Sequence, residues 1–360
     1  MSVRIELHNS HFGELERPIC EVGEFVVSTF RYDTGVAALR IKNSRGEIIM
    51  LPFQGQQIWR ARFDDRELTM KSMFDKPRAT RVFLETYGSF LVHCGLAGLG
   101  APGPTDAHAL HGELPNAPMQ AAWLEIKPDE IAVAGSYQHT IAFETNYVAT
   151  IRTTISSASA LIDVSVLVEN LKNTSMDLMY LGHVNFNPAD NGELHYSAAY
   201  DPDNVRVRRS IPSHVTPKSG YTEFLEKLAR DPAASHILKP GLSFDPEVVF
   251  EVDLKAGTDG VAHALHKHPD GFSDYVSYRP DQAPVCMRWI CRTPDQDGIG
   301  FAFPSTSGVE GYAVEKSKGR VVELPGGEVW RIDMKIGHLT AAETSDVIEK
   351  IENIRSGRPC

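Results

Sequence analysis

The strongest constraint on the fold is a strict alternation of apolar and polar residues in the middle of the chain. In the segment ALIDVSVLVEN, every second residue from Ile162 to Val168 is branched and apolar. The preceding segment YVATIRTTI alternates in the same way, and SSAS lies between the two. A repeat of two residues is the repeat of a β-strand with one apolar face. We therefore predict a β-hairpin with its turn at SSAS.

Glycine and proline favour short strands over helices in the rest of the chain. They number 28 and 22 among the 360 residues, a spacing that suits strands better than long helices. Only Tyr221 to Arg230 and a stretch of about 345–356, starting near Ser345 and ending at Gly357, have a helical pattern. We predict an all-β protein, one large antiparallel β-sandwich over residues 1–360 with few short helices and a C-terminal helix. Further strands are predicted at GEFVVSTFRY, VAALRIKN, GEIIMLPF, EVVFEVDL, VCMRWICR, GIGFAFP and EVWRIDMKIGHL.

Composition and charge exclude several classes of protein. Hydrophobic residues make up 42% of the chain, which excludes a disordered or collagen-like protein. The formal charge of −11, without a basic stripe, argues against nucleic acid or an anionic membrane as a partner. Five cysteines without a CxxC pair, a polar N-terminus and no long apolar run favour a soluble cytoplasmic protein. The sequence leaves the oligomeric state open between a monomer and a homodimer.

Two histidine-containing segments are candidates for a functional site. The first lies in a glycine- and proline-rich stretch, residues 95–118, and contains His108 and His111; loops of that length are usually functional or disordered. The second is His183-Val184-Asn185-Phe186-Asn187. In an extended chain His183 and Asn185 point the same way and could bind a polar ligand. The same residues would also suit a histidine that only completes the hydrogen bonding of a sheet.

These two segments resemble the galactose mutarotase (aldose 1-epimerase) superfamily. Its members carry an LHG segment, here Leu110-His111-Gly112, followed by an HxYFN segment, here starting at His183. The segments LPFQGQQIWRARFDDRELTMKSMFD, DAHALHGELPNAP and VEGYAVEKSKG are similar to an uncharacterised, aldose 1-epimerase-like branch. The resemblance implies a large twisted antiparallel β-sandwich and a cofactor-independent isomerase acting on a small sugar.

The resemblance also implies roles for individual residues. Interconversion of anomers needs one group that takes the proton of the anomeric hydroxyl and another that protonates the ring oxygen. The family's acid maps onto His183, and the LHG histidine, His111, would orient the sugar. The family's base is a glutamate on a late strand, where this sequence has Ala302. Glu310 in the following loop is the leading replacement, and Glu315 and Glu323 are weaker candidates.

Further polar residues are expected to bind the sugar. A cation such as Arg288 could hold a carboxylate, phosphate or sulfonate on it, or could belong to a surface ion pair. The expected substrate-binding residues are His93, Asp106, His108, Asn185, Gln56, Lys71 and Arg288.

Other functions remain open at this point. His108 and His111, with His93, His183 and Glu113, could form a metal site, although spacing of this kind is nonspecific. His263, His266 and His268 also resemble a ligand cluster, but VAHALHKHPDG is typical of a strand end and turn, so we expect no metal. The missing glutamate leaves three alternatives: a relocated base, an epimerase or isomerase of a modified or acidic sugar, and a non-catalytic sugar-binding protein.

Overall fold

Two large antiparallel sheets form most of the protein, as described by a computed structural model for residues 3–358. Strands are numbered along the chain. The first sheet has nine of the described strands. In spatial order they are β1 (Val3–Leu7), β9 (Ala121–Ile126), β10 (Glu130–Ile141), β11 (Thr145–Ser156), β12 (Leu161–Asn170), β22 (Val329–Leu339), β18 (Ser273–Tyr278), β17 (Ala262–Lys267) and β14 (Glu193–Tyr196).

The second sheet has thirteen of the described strands and carries most of the candidate site. In spatial order its main path is β15 (Val205–Val207), β16 (Phe244–Val252), β19 (Val285–Arg292), β20 (Asp297–Ser305), β13 (Met176–Val184), β8 (Leu91–Leu96), β6 (Gln57–Phe63), β5 (Gly46–Leu51), β4 (Ala37–Lys42), β3 (Phe25–Arg31) and β2 (Arg17–Val22). The short strands β7 (Arg66–Glu67) and β21 (Val322–Leu324) pair with β6 and β13.

The predicted all-β class and the hairpin are confirmed. Strands β11 and β12 pair antiparallel, with Ile151 opposite Val166. Both side chains are fully buried, because the alternation turns one apolar face of each strand towards the core between the sheets. Each of the seven further predicted strand segments coincides with a strand of the structure.

Three α-helices complete the described part: α1 (Tyr221–Arg230), α2 (Tyr312–Ser317) and α3 (Ala341–Ser356). Short 3-10 turns occupy Asn9–His11, Phe83–Glu85 and Pro232–Ser235. The sequence predicted α1 correctly and missed α2, which has only six residues. None of the helices in residues 3–358 is long and apolar enough to cross a membrane.

The C-terminal helix starts earlier than predicted, because its N-cap lies five residues before Ser345. Thr340, not Ser345, is the N-cap, because the Thr340 side chain accepts a hydrogen bond from the Glu343 N–H and the Glu343 carboxylate accepts one from the Thr340 N–H. The Ser345 hydroxyl instead donates to the Ala341 carbonyl inside the helix. The predicted end is confirmed, since Gly357 takes the left-handed conformation (φ 71°) that ends many helices. Cys360 lies outside the described residues.

Candidate active site

A cavity of about 310 Å³ opens beside β13, β16 and β19 of the second sheet. Much of its wall is apolar or aromatic, with Phe83, Tyr87, Trp289 and Phe303 among the lining residues. The histidine, arginine and glutamate side chains that line it are His111, His183, Arg208, His214, Glu247 and Arg288. A largely apolar cavity with a few convergent polar groups is the usual form of a small-molecule site.

His183 is held in one orientation by Asn185. The Nδ1 atom of His183 lies 2.7 Å from Asn185 Oδ1, and Asn185 Nδ2 donates to the Ser89 carbonyl at 2.9 Å. Because Asn185 Nδ2 donates to Ser89, the atom that faces His183 is Asn185 Oδ1, which can only accept. His183 Nδ1 therefore carries a proton, and Nε2 is the ring nitrogen that is left for a ligand in the cavity. Burial lowers the pKa of His183 to about 4, against the opposing effect of the Asn185 hydrogen bond.

His111 reaches the same cavity from the glycine-rich loop. Its ring centroid lies 5.7 Å from that of His183 and 4.8 Å from that of Phe83. His111 has a φ of 60°, and Gly112 follows at 81° with the Gly98 carbonyl so close that a Cβ would meet it at 2.3 Å. The LHG glycine is therefore required by the tight path of the backbone. Burial, and then the neighbouring His183, lower the pKa of His111 well below its usual value.

Glu113 fixes the loop on the other side of His111. Its Oε1 accepts hydrogen bonds from the backbone N–H groups of Leu96 and Ala97 at 3.0 and 2.9 Å. The Tyr147 hydroxyl also donates to this oxygen. A carboxylate with three donors is a structural anchor, so the placement of His111 depends on Glu113.

Glu247 is the carboxylate on the cavity wall that the sequence analysis missed. It lies on β16, and its Oε2 accepts a hydrogen bond from Trp289 Nε1 on the neighbouring strand β19 at 2.8 Å. The ring of Trp289 lies 5.8 Å from the ring of His183. One indole therefore contacts both a carboxylate and an imidazole. Nothing local marks Glu247, because only the pairing of β16 with β19 brings it to Trp289.

Two arginines give the wall positive charge. Arg288 is fully buried; its Nε donates to the Phe301 carbonyl at 3.2 Å and its guanidinium lies 4.3 Å from the centre of the Tyr196 ring. No carboxylate pairs with Arg288 within residues 3–358, so it is not the surface ion pair considered above. Arg208 pairs with Glu310 through its Nε at 2.7 Å.

Glu310, the expected replacement for the family's base, is not among the residues that line the cavity. Both of its carboxylate oxygens lie 2.7 Å from the Ser210 hydroxyl, and it lines an adjoining groove that shares Arg208, Met287 and Val309 with the cavity. Ala302 is also absent from the cavity wall. The next residue, Phe303, lines the cavity instead, and its ring lies 4.2 Å from that of His183.

Three of the expected sugar-binding residues lie away from the cavity. His93 is fully buried, with Nδ1 2.8 Å from the Tyr180 hydroxyl, and burial lowers its pKa to about 3. Gln56 is fully buried and donates to the Pro52 carbonyl. Lys71 is not on the wall, and its backbone forms a bridge with Asp297.

Asp106 and His108 support the loop and do not line the cavity. The Asp106 carboxylate accepts from the backbone N–H groups of Gly103 and Ala313, both at 2.9 Å, and His108 Nε2 accepts from the Tyr312 N–H at 3.3 Å. They join the loop to the start of α2. Of the ten predicted site residues, the structure places His111, His183 and Arg288 on the wall and Asn185 directly behind His183.

The first proposed metal cluster does not assemble. Within residues 3–358 the donor atoms of His93, His108, His111, His183 and Glu113 do not converge as a group of three or more. The converging group that is found, His266, His268 and Asp274, lies elsewhere.

Comparison with solved structures identifies the fold. A candidate aldose 1-epimerase from Klebsiella pneumoniae superposes with a TM-score of 0.80, at 17% identity over 99% of this chain and 96% of that chain. A galactose mutarotase-like protein from Clostridium acetobutylicum gives a TM-score of 0.61 at 14% identity over 88% and 99%. One from Lactobacillus casei gives 0.53 at 13% identity over 84% and 100%.

The chain has the galactose mutarotase-like fold. The fold implied by the sequence resemblance is thereby confirmed. A family model described as a domain of unknown function, DUF4432, matches residues 33–190, a stretch of the galactose mutarotase-like fold that includes both His111 and His183. No curated protein matches the sequence.

Proposed function

We propose that the protein is a sugar isomerase of the aldose 1-epimerase type, in which His183 and Glu247 act as the acid–base pair. The observation that supports this most is the cavity shared by these two residues and connected through Trp289. Acid–base ring opening needs two proton-exchanging groups within reach of one ligand. The cavity volume of about 310 Å³ falls at the lower end of small-molecule sites, as a monosaccharide requires.

The proton transfers balance when His183 and Glu247 together hold one proton, which is on His183 at the start. The Glu247 carboxylate takes the proton from the anomeric hydroxyl while protonated His183 gives its Nε2 proton to the ring oxygen, and the bond from the anomeric carbon to that oxygen breaks. The open-chain sugar turns about its C1–C2 bond. Ring closure on the other face returns a proton from the attacking hydroxyl to His183 and transfers the proton of Glu247 to the anomeric oxygen. Both residues then have the protonation states with which they began.

The neighbouring residues give this pair its properties. Asn185 accepts from His183 Nδ1 and so stabilises the protonated imidazole. The indole of Trp289 offers an apolar face for the C–H side of a sugar ring and holds Glu247 through its N–H. His111, whose lowered pKa keeps it neutral, is proposed to orient the sugar oxygens by hydrogen bonding.

The test is anomer exchange on a panel of freshly dissolved aldoses and hexuronic acids, followed by polarimetry and by NMR exchange spectroscopy. We expect at least one sugar to equilibrate faster than in buffer, and His183→Ala to remove about 10²- to 10⁴-fold of the acceleration. Equal rates with and without protein, or an equally active variant, would refute the assignment. Saturable binding without exchange would instead identify a non-catalytic sugar-binding protein.

A second candidate substrate class is an acidic sugar. Arg208 and Arg288 both line the cavity, whereas Glu247 is the one carboxylate on its wall within the described residues. An arginine near a substrate carboxylate provides strong, oriented hydrogen bonds. In the same panel, a preference for hexuronates over the matching neutral hexoses would favour this class.

A further inference from the structure

A second cluster of polar side chains lies on one face of the first sheet, away from the cavity. Asp274 on β18 pairs in register with His266 on β17 and with His338 on β22. His268 follows two residues after His266 and therefore lies on the same face. Four ionisable side chains thus meet across three adjacent strands. None of them lines the cavity of the candidate active site.

These side chains are buried and converge on one carboxylate. His266 Nδ1 and His268 Nε2 each lie 3.0 Å from Asp274 Oδ2, and His338 Nδ1 lies 3.7 Å from Asp274 Oδ1. All four residues are buried. Asp274 Oδ1 and both ring nitrogens of His338 are buried without a hydrogen-bond partner in the structure. Buried polar atoms normally have a partner, so the unsatisfied atoms at this cluster require an explanation.

We propose that His266 Nδ1, His268 Nε2 and the Asp274 carboxylate bind one divalent transition-metal ion, with Zn²⁺ the best match. Two imidazoles and a carboxylate are a common ligand set for Zn²⁺. The three donor atoms lie within 4.8 Å of one another. With bonds of about 2.0–2.1 Å, ligands at tetrahedral angles are about 3.3 Å apart, so the 3.0 Å separations need to widen only slightly.

His338 would support the ion through Asp274. Its Nδ1 is closest to the Asp274 oxygen that the two other histidines leave free. In metal sites a carboxylate that binds the ion is usually oriented by a hydrogen bond from a neighbouring side chain. The ion would join β17 to β18 directly and β22 through His338, which indicates a structural role. This proposal does not depend on the sugar chemistry.

Arg66 competes with the ion. Its Nη1 lies 3.1 Å from His268 Nδ1, and its other terminal nitrogen pairs with Asp270. A guanidinium only donates, so this contact requires a lone pair on His268 Nδ1. A neutral imidazole that binds the ion through Nε2 instead carries its proton on Nδ1. Binding therefore requires Arg66 to withdraw from His268. Its side chain is about one-third exposed (31%) and can swing towards solvent with Asp270.

The experiment measures zinc bound by the purified full-length protein after chelator dialysis and titration with Zn²⁺ alone. Elemental analysis gives the stoichiometry, and competition with a chromogenic chelator gives the affinity. We expect one tightly bound ion, at least about tenfold weaker binding in His266→Ala and Asp274→Asn, and tighter binding in Arg66→Gln. The matched control is His263→Ala, a buried histidine on the same strand whose Nδ1 contacts the Tyr275 hydroxyl.

Three results would overturn the proposal. One is less than a tenth of an ion per chain at saturating Zn²⁺. Another is equal loss of zinc in the His263→Ala control. The third is unchanged or weaker binding in Arg66→Gln, which keeps all the proposed ligands and so remains informative if a ligand variant fails to fold.

Discussion

Replacing Asn185 by leucine should disable His183 without touching the cavity wall. Leucine is close to asparagine in size, but it cannot accept from His183 Nδ1 or donate to the Ser89 carbonyl. Both of those groups are buried, and each loses its partner in the variant. The variant therefore tests whether the orientation and charge of His183 carry the activity.

The size of the effect follows from the hydrogen bond to protonated His183. Hydrogen bonds to charged groups contribute about 1.5–3 kcal/mol. At 1.4 kcal/mol per factor of ten, we expect kcat/KM to fall about 10- to 150-fold, and the pKa of His183 to fall by about 1–2 units. The unsatisfied groups should lower the free energy of unfolding by about 1–3 kcal/mol, which the large core can tolerate.

Long-range ¹H–¹⁵N NMR of the imidazole ring gives the tautomer and the titration of His183 directly. In the native protein we expect the Nδ1–H tautomer, and in Asn185→Leu loss of that preference together with the fall in kcat/KM. Asn187→Leu is the matched control, because Asn187 is the next residue on the same side of the segment. A folded Asn185→Leu variant with activity within about threefold of native would show that the hydrogen bond from His183 to Asn185 does not carry the activity.

Three further predictions concern pH, charge and stability. Because the pKa of His183 is about 4 in the free protein and the reaction needs its proton, kcat/KM should fall about tenfold per pH unit between about pH 6 and 8; a flat profile would contradict this role. Arg208→Gln should raise KM about tenfold or more for hexuronates and leave KM for neutral hexoses unchanged, as steady-state kinetics on both would show. His93 has a folded pKa of about 3, below its unfolded value of about 6.5, so its stabilising effect is full only about one pH unit above 6.5 and declines as the pH falls towards 3. Urea unfolding should show the native protein losing about 1.6 kcal/mol more than His93→Leu between pH 6.5 and 5, and equal losses would exclude this linkage.

Features encoded locally could be predicted from the sequence. The alternation around Val166 defines the hairpin, because one-sided burial requires a repeat of two. The spacing of His183 and Asn185 places them on one side of the chain, and the structure joins them by a hydrogen bond.

Features that depend on long-range pairing could not be predicted. Glu247 and Trp289 lie 42 residues apart and meet only because β16 pairs with β19. The family pattern places the base near Ala302, yet Phe303 occupies that part of the wall and Glu310 pairs with Arg208 in the adjoining groove. The separation of a residue from Ala302 along the sequence therefore does not indicate how close it lies to His183 in the structure.

The proposed mechanism requires Glu247, and not Glu310, to accept the anomeric proton. NMR exchange spectroscopy on the best sugar of the panel tests it by comparing Glu247→Gln with Glu310→Gln. Glutamine keeps an oxygen for Trp289 Nε1 to donate to, so the wall should stay intact. We predict a loss of about 10²-fold or more in anomer exchange for Glu247→Gln and a change of less than about threefold for Glu310→Gln. Undiminished exchange in Glu247→Gln, or a large loss in Glu310→Gln alone, would show that Glu247 is not the base.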